Sequence, residues 1–214
     1  MQYDVVVLTE SKYMDPDLEL NAYNKNVIDE DQLVVNACLE LGLSACRKSW
    51  DDPMFDWSTT KSVVFRTTWD YFHRFPEFSE WLKKVEKQTI LFNSAETIHW
   101  NIDKKYLKEL EQKGVGIAKT EIVKQGDNRS LRECFSAFGE DVMILKPCVS
   151  GAARHTYKLS SENIDEKAGV FKELIQGEDM MLQRYEKNIQ LKGEVSHMIF
   201  DGIYSHSVLK KAKQ

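Results

Sequence analysis

Four consecutive apolar residues, Val5-Val6-Val7-Leu8, stand between Asp4 and Thr9. So short a run, rich in β-branched side chains, has no polar face to offer water and reads as a strand covered on both sides. The segments that follow supply the cover. Asp29 to Gly42 carries Leu33, Ala37 and Leu41 at helical spacing, with Val34 on the flank, and Gly42 offers a stop. Ser44 to Trp50 and Ser62 to Phe65 read as strands, and Phe75 to Val85 as a helix with Phe78, Trp81, Leu82 and Val85 along one side. The order strand–helix–strand–strand–helix predicts an open α/β sheet with helices packed on it. Such sheets receive ligands at the carboxyl ends of their strands.

The pattern changes after Phe92. Ser94 to Trp100 and Asp103 to Gln112 read as two short helices, the second closed by Gly114. Ile117 to Val123 is an expected strand, Ser130 to Phe138 a helix, and Val142 to Lys146 a strand ending at Pro147. A turn of small residues, Ser150-Gly151-Ala152-Ala153, leads to a strand at Thr156 to Leu159. The helix Asn163 to Gln176 precedes a strand at Met180 to Tyr185. Glu194 to Phe200 and Tyr204 to Leu209 flank Asp201-Gly202, a hairpin signal because both residues tolerate positive φ. Hairpins mixed with helices make this half α+β, with the boundary near Phe92 to Asn101.

Composition excludes several classes. The 214 residues hold 29 Lys+Arg against 34 Asp+Glu, a net charge of −5, with 42% hydrophobic and 29% charged residues. That balance fits a globular chain and argues against disorder. No basic stripe marks a nucleic-acid partner, and no segment approaches the ~20 apolar residues that span a bilayer. Met1 to Thr9 lacks the basic start and cleavage site of a signal peptide. Cys38, Cys46, Cys134 and Cys148 are too far apart for a CxxC pair, so reduced thiols in a cytoplasmic protein are expected.

Motifs narrow the chemistry further. GxxxxGK[ST], HExxH and GxSxG are all absent, and the five histidines include no i, i+4 pair. Gly114 and Gly116 form a GxG, but it follows a helix and precedes a strand, the reverse of a dinucleotide fingerprint. What remains is the run from Val142 to Thr156, in which Lys146 ends an apolar strand beside the small-residue turn and Arg154 lies on the far arm. Small residues let backbone N–H groups close on an anion, and Lys146 and Arg154 would add charge to polyphosphate oxygens. An ordinary hairpin with a snorkelling lysine is the alternative. Arg66, in Arg66-Thr67-Thr68-Trp69-Asp70-Tyr71, ends a strand of the first half and could clamp a carboxylate. Trp69 and Tyr71 could equally be packing residues, and His155 is read as a loop residue without a role.

The runs KPxVSGxxxxT, GEVSHMIFDGIYSHSVLK and RTTWDY, in their order, resemble the ATP-grasp superfamily from about Val63 to Lys211. The likeness is to the branch with glutathione-synthetase-type ATP binding, to which the ligase that closes cycloserine belongs. It implies an N-terminal open α/β (pre-ATP-grasp) domain over 1–95, a central ATP-grasp subdomain over 96–180, and the start of a C-terminal subdomain over 181–214. ATP, with Mg²⁺, would lie between the two α+β subdomains. By the same resemblance Lys104 and Lys146 reach phosphate, and Ser150, Gly151, Ala152 and Ala153 form the loop over the β- and γ-phosphates, with Arg154 nearby. Gln183, Arg184 and Tyr185 are the hinge at adenine, Glu194 accepts from ribose hydroxyls, and Lys210 stands near the transferred phosphoryl group. Glu194 as a solvated charge and Lys210 as a surface lysine are the alternatives. Arg66 and Asp70 become candidates to face substrate or nucleotide.

The implied reaction is ligation of a small-molecule carboxylate to an amine or similar nucleophile through an acylphosphate, with lysines and metal ions neutralising charge. Mg²⁺ ligands in the family follow the last hairpin, so they are expected beyond Gln214, in a continuation of ~70–90 residues. An ATP-grasp module that binds nucleotide without ligating is the other reading. A homodimer remains one option for the assembly.

Overall fold

The computed structural model describes residues 2–211. The chain divides into two compact units, the first running to Asp103 and the second starting at Lys104.

The first unit is built on a parallel sheet of four strands: β1 (Tyr3–Thr9), β2 (Ala45–Ser49), β3 (Thr60–Thr67) and β4 (Ile90–Phe92), in the order β2-β1-β3-β4. β1 is internal, and Val6, Val7 and Leu8 are fully buried, as a run without a polar face requires. The helices are α1 (Ala22–Glu40), α2 (Phe75–Val85) and α3 (Ala95–Asn101). α2 has the predicted bounds, starts with Pro at its first turn, and buries Phe78, Leu82 and Val85. They join Trp50, Trp57 and the half-buried Trp81 in an aromatic cluster, with Trp50 edge-on to Phe78 at 5.1 Å and Trp57 edge-on to Trp81 at 5.4 Å.

α1 departs from expectation in length and in face. It starts seven residues early, capped by Asn21, whose side chain accepts from the N–H of Asn24 at 2.9 Å. Leu33 and Leu41 are 66% and 78% exposed; the inward face is Val27, Asp31 and Val35. A buried carboxylate, rather than leucines, sets this helix's orientation. β4 was not foreseen, because a three-residue strand with only Leu91 buried leaves no readable period.

The second unit carries an antiparallel sheet of β5 (Thr120–Val123), β6 (Val142–Pro147), β7 (Tyr157–Ser160) and β8 (Met180–Arg184), in the order β5-β8-β6-β7. Its helices are α4 (Tyr106–Gln112), α5 (Leu131–Phe138), α6 (Ala168–Gly177) and α7 (Lys187–Lys192). α5 begins with a capping box between Ser130 and Glu133, and Gly139 ends it in the left-handed region. One sheet face packs on α5 and α6 through Val123, Leu145, Leu182, Phe171 and Ile175 among others. α6 starts later than predicted because Asn163 instead closes a turn, accepting from the Ser160 N–H and donating to the Lys158 carbonyl. α7 was missed: none of its six residues is buried, so no apolar stripe announces it.

Strands β9 (Glu194–Phe200) and β10 (Ile203–Lys210) form a separate hairpin. Asp201 and Gly202 turn it with φ of 50° and 75°, the two positive values that match the right-handed twist of the flanking strands.

Candidate functional site

Strand alternation gives the sheet of the second unit two unlike faces. Val123, Leu145 and Leu182 point to the helices, so Thr120, Ile144, Lys146 and Gln183 point away from them. Thr120 and Ile144 both stand opposite Gln183, on either side of the central β8, and Lys146 lies two residues along β6 from Ile144. This register brings Lys146 and Gln183 together: the ammonium donates to Gln183 Oε1 at 2.9 Å. Burial pushes the Lys146 pKa down, while the Glu194 carboxylate pulls it the other way. Lys146 is therefore a half-buried cation on the side of the sheet turned away from α5 and α6.

Glu194 opens β9 and is the cross-strand partner of Lys210, the last residue of β10. An acid and a base face each other at the mouth of the hairpin, the opposite-charge pairing that antiparallel strands favour. Gly193 precedes them at φ +90°, where a Cβ would come within 2.6 Å of the Lys210 carbonyl oxygen. Gly193→Ala is expected to lose about 1–3 kcal/mol through backbone strain and to spread the mouth. Gly202→Ala, at φ +75° with nothing within 4 Å, should lose less. Urea titrations of the two variants test the difference.

The small-residue loop is tied at both ends. The Lys104 N–H donates to the Cys148 carbonyl at 3.0 Å, and its ammonium donates to the Ser150 carbonyl. Lys105 pairs with Asp179 at 2.7 Å, and the Asp179 carbonyl accepts from the Cys148 N–H at 3.0 Å. Ser150 is buried and its hydroxyl donates to the Arg154 carbonyl at 3.1 Å. Ala152, Ala153 and His155 hold φ of 48°, 58° and 48°, a left-handed run that costs residues with a Cβ of order 1 kcal/mol each. The Arg154 guanidinium makes three hydrogen bonds of 2.7–2.9 Å to Glu178. Burial pushes the Glu178 carboxyl up, and Arg154 pulls it back. In this structure Arg154 serves to fasten the loop to the start of β8.

The hinge stretch is likewise engaged. The N–H groups of Arg184 and Tyr185 donate to the carbonyls of Lys119 (2.9 Å) and Val142 (3.3 Å). The Arg184 guanidinium pairs with Glu186 at 2.6 Å, and the Tyr185 ring lies 4.2 Å under the Lys158 ammonium.

Arg66 and Asp70 belong to the first unit. Arg66 approaches Glu30 at 3.5 Å and Asp31 at 3.8 Å. Asp70 accepts from Trp50 Nε1 at 2.8 Å and from Arg74 at 2.6 Å, and the Arg74 guanidinium stacks 4.5 Å over the Trp50 ring. Both Asp70 oxygens thus brace the end of β2 against the turn before α2. Tyr71 packs on Phe78 at 5.5 Å, and Trp69 stands edge-on to Tyr13. Three residues that sequence reasoning passed over shape these surroundings: Thr120, Glu178 and Asp31. Each acts through a partner far along the chain, and no local pattern marks any of the three.

Among the described residues no group of three His, Cys, Asp or Glu side chains could hold a metal ion. The metal ligands expected beyond Gln214 lie outside the described residues. No described helix is long and apolar enough to cross a membrane.

Residues 5–93 match the family model of the N-terminal domain of D-cycloserine synthetase DcsG. The cycloserine biosynthesis protein DcsG of Streptomyces lavendulae is 30% identical over 184 residues, which cover 84% of this chain and 61% of that protein. The chain thus spans less than two thirds of that relative's length. The crystal structure of D-cycloserine synthetase DcsG superimposes with a TM-score of 0.82 at 24% identity, over 97% of this chain and 68% of the other. D-alanine–D-alanine ligase from Bacillus anthracis matches with a TM-score of 0.58 at 11% identity, over 98% and 72% of the two chains.

Proposed function

On the premise that this chain is of the ATP-grasp superfamily and similar to its cycloserine-forming branch, we propose that its second unit binds ATP. The nucleotide lies on the sheet face that carries Lys146 and Gln183, and the whole protein uses it to join a small-molecule carboxylate to an amine or similar nucleophile. The observation that carries this reading is the half-buried Lys146 ammonium, held by Gln183 on the face opposite the helices. A desolvated cation attracts an anion more strongly than one in bulk water, and a desolvated titratable group of this kind marks a candidate binding site.

The residues fit a triphosphate. Lys104 and Lys146 meet phosphate oxygens, and the backbone of Ser150, Gly151, Ala152 and Ala153 closes over the outer phosphates, since left-handed turns present successive N–H groups to anions. Arg154 joins them on release from Glu178. Gln183, Arg184 and Tyr185 border adenine, Glu194 accepts from the ribose hydroxyls, and Lys210 lies by the phosphoryl group in transfer. Arg66 is offered to the substrate carboxylate, while Asp70 braces the end of β2 against the turn before α2. ATP supplies the phosphoryl group that turns a carboxylate into an acylphosphate, from which the nucleophile displaces phosphate. Mg²⁺ would enter with the nucleotide. The four free thiols support a cytoplasmic setting.

ATP–Mg²⁺ at a hundredfold above Kd should raise the stability of the chain by about 2.7 kcal/mol; no thermal shift would remove the reading. A phosphate-release screen of the complete gene product, against pairs of amino acids and small carboxylates, should show ADP only when both partners are present. ADP formation indifferent to the partners would leave a nucleotide-binding module without ligation.

A further inference from the structure

We infer that Thr120 is a positioning residue, whose hydroxyl anchors the Gln183 amide with its carbonyl toward Lys146 and so holds the ammonium ready for an anion. The inference deepens the reading above, in which Lys146 meets nucleotide phosphate.

The geometry is directional. The Thr120 hydroxyl donates its single proton to the Ala118 carbonyl at 2.7 Å. Only lone pairs are then left for Gln183, and the Gln183 Nε2 amide donates to them at 3.0 Å. The other end of the amide, its carbonyl oxygen, is thereby turned to Lys146 and accepts from the ammonium at 2.9 Å. An ammonium has donors only, so the opposite amide orientation would set N–H against N–H and repel. Donors and acceptors run one way, from Lys146 through Gln183 and Thr120 to the Ala118 carbonyl. The sheet register fixes the row, because Thr120 and Gln183 are direct partners across β5 and β8. Thr120 is only 6% exposed, so water is a poor substitute for its hydroxyl.

Other groups act on the same ammonium. The Glu194 carboxylate and the Cys148 thiol both raise its pKa against the effect of burial, and β7 contributes Lys158 on the same sheet face. None of them fixes the amide.

Thr120→Val keeps the shape and removes the hydroxyl, leaving the Gln183 NH₂ without its acceptor and the amide carbonyl no longer anchored against Lys146. The Lys146 pKa, read from the pH dependence of its labelling by an amine reagent, should fall by about half a pH unit or more, and ATP–Mg²⁺ should bind about fivefold more weakly, the loss of one net hydrogen bond. Thr120→Ser should restore both. In a Gln183→Leu background Thr120→Val should change neither, since the link between them is gone. Should Thr120→Val fail to fold, the serine variant and Gln183→Leu decide, the first keeping and the second losing the Lys146 titration of the parent. Unchanged titration in Thr120→Val or Gln183→Leu would overturn the inference. The titration needs no nucleotide, so it separates failure of this inference from failure of the ATP reading.

Discussion

Lys146→Met should abolish the stabilisation that ATP–Mg²⁺ gives the parent chain, about 2.7 kcal/mol at a hundredfold excess over Kd, in a protein no less stable than the parent without nucleotide. The two halves of that result have one cause. Burial holds the Lys146 pKa below its ordinary value of 10.5, so the charged form disfavours the native state at neutral pH. Methionine fills similar space without a charge, and the site trades stability for a poised cation. The sign of the pH dependence follows. A lysine with a lowered native pKa disfavours folding below that pKa, and the penalty is relieved as pH rises from it towards 10.5. Across that alkaline window the parent should gain stability relative to Lys146→Met. Its ATP affinity should fall over the same window, because a neutral amine no longer attracts phosphate. Lys113→Ala, at the exposed end of α4, should leave the nucleotide response intact. Thermal shifts with and without ATP–Mg²⁺ at several pH values check all four, and a Lys146→Met protein that kept the shift would put the phosphates elsewhere.

Local chemistry carried much of the fold. Val5 to Leu8 read as a buried strand, Phe75 to Val85 showed its buried stripe, and Asp201-Gly202 marked its hairpin by tolerance of positive φ. The ATP-grasp architecture itself came through resemblance, since no periodicity distinguishes it from other mixed sheets. What escaped was pairing over distance. Thr120 and Gln183 are 63 residues apart and Arg154 and Glu178 are 24 apart; strand register and loop path, not spacing, bring them together. Lys146 was legible as the polar end of an apolar strand. That its amide partner would in turn be aimed by a threonine was not. The face of α1 was misread for the same reason, because Asp31 finds its partners on β2 and β3.

Asp31→Ala should cost about 3–5 kcal/mol, a large share of the 5–15 kcal/mol that holds a typical domain together. Asp31 is fully buried and accepts from the Thr67 hydroxyl at 2.7 Å, while Arg47, with 12% of its side chain exposed, lies 3.5 Å away. The loss comes less from the ion pair, which is long, than from the guanidinium left behind without a counter-charge. Replacing both partners should therefore be far milder than replacing one. Asp31→Leu with Arg47→Met should recover most of the stability, and a double-mutant cycle reads the coupling. Burial raises the Asp31 pKa above 3.8, against the pull of Thr67 and the arginines. Its carboxyl thus adds most to stability below pH 3.8, and that contribution is lost as pH rises through the raised native value. The penalty of Asp31→Ala should therefore shrink from acid towards neutral pH. Urea titrations at pH 4 and pH 7 should show a lowered midpoint at an unchanged slope. A single variant as stable as the double one would mean that Arg47 reaches water, and that α1 is held by Val27 and Val35 alone.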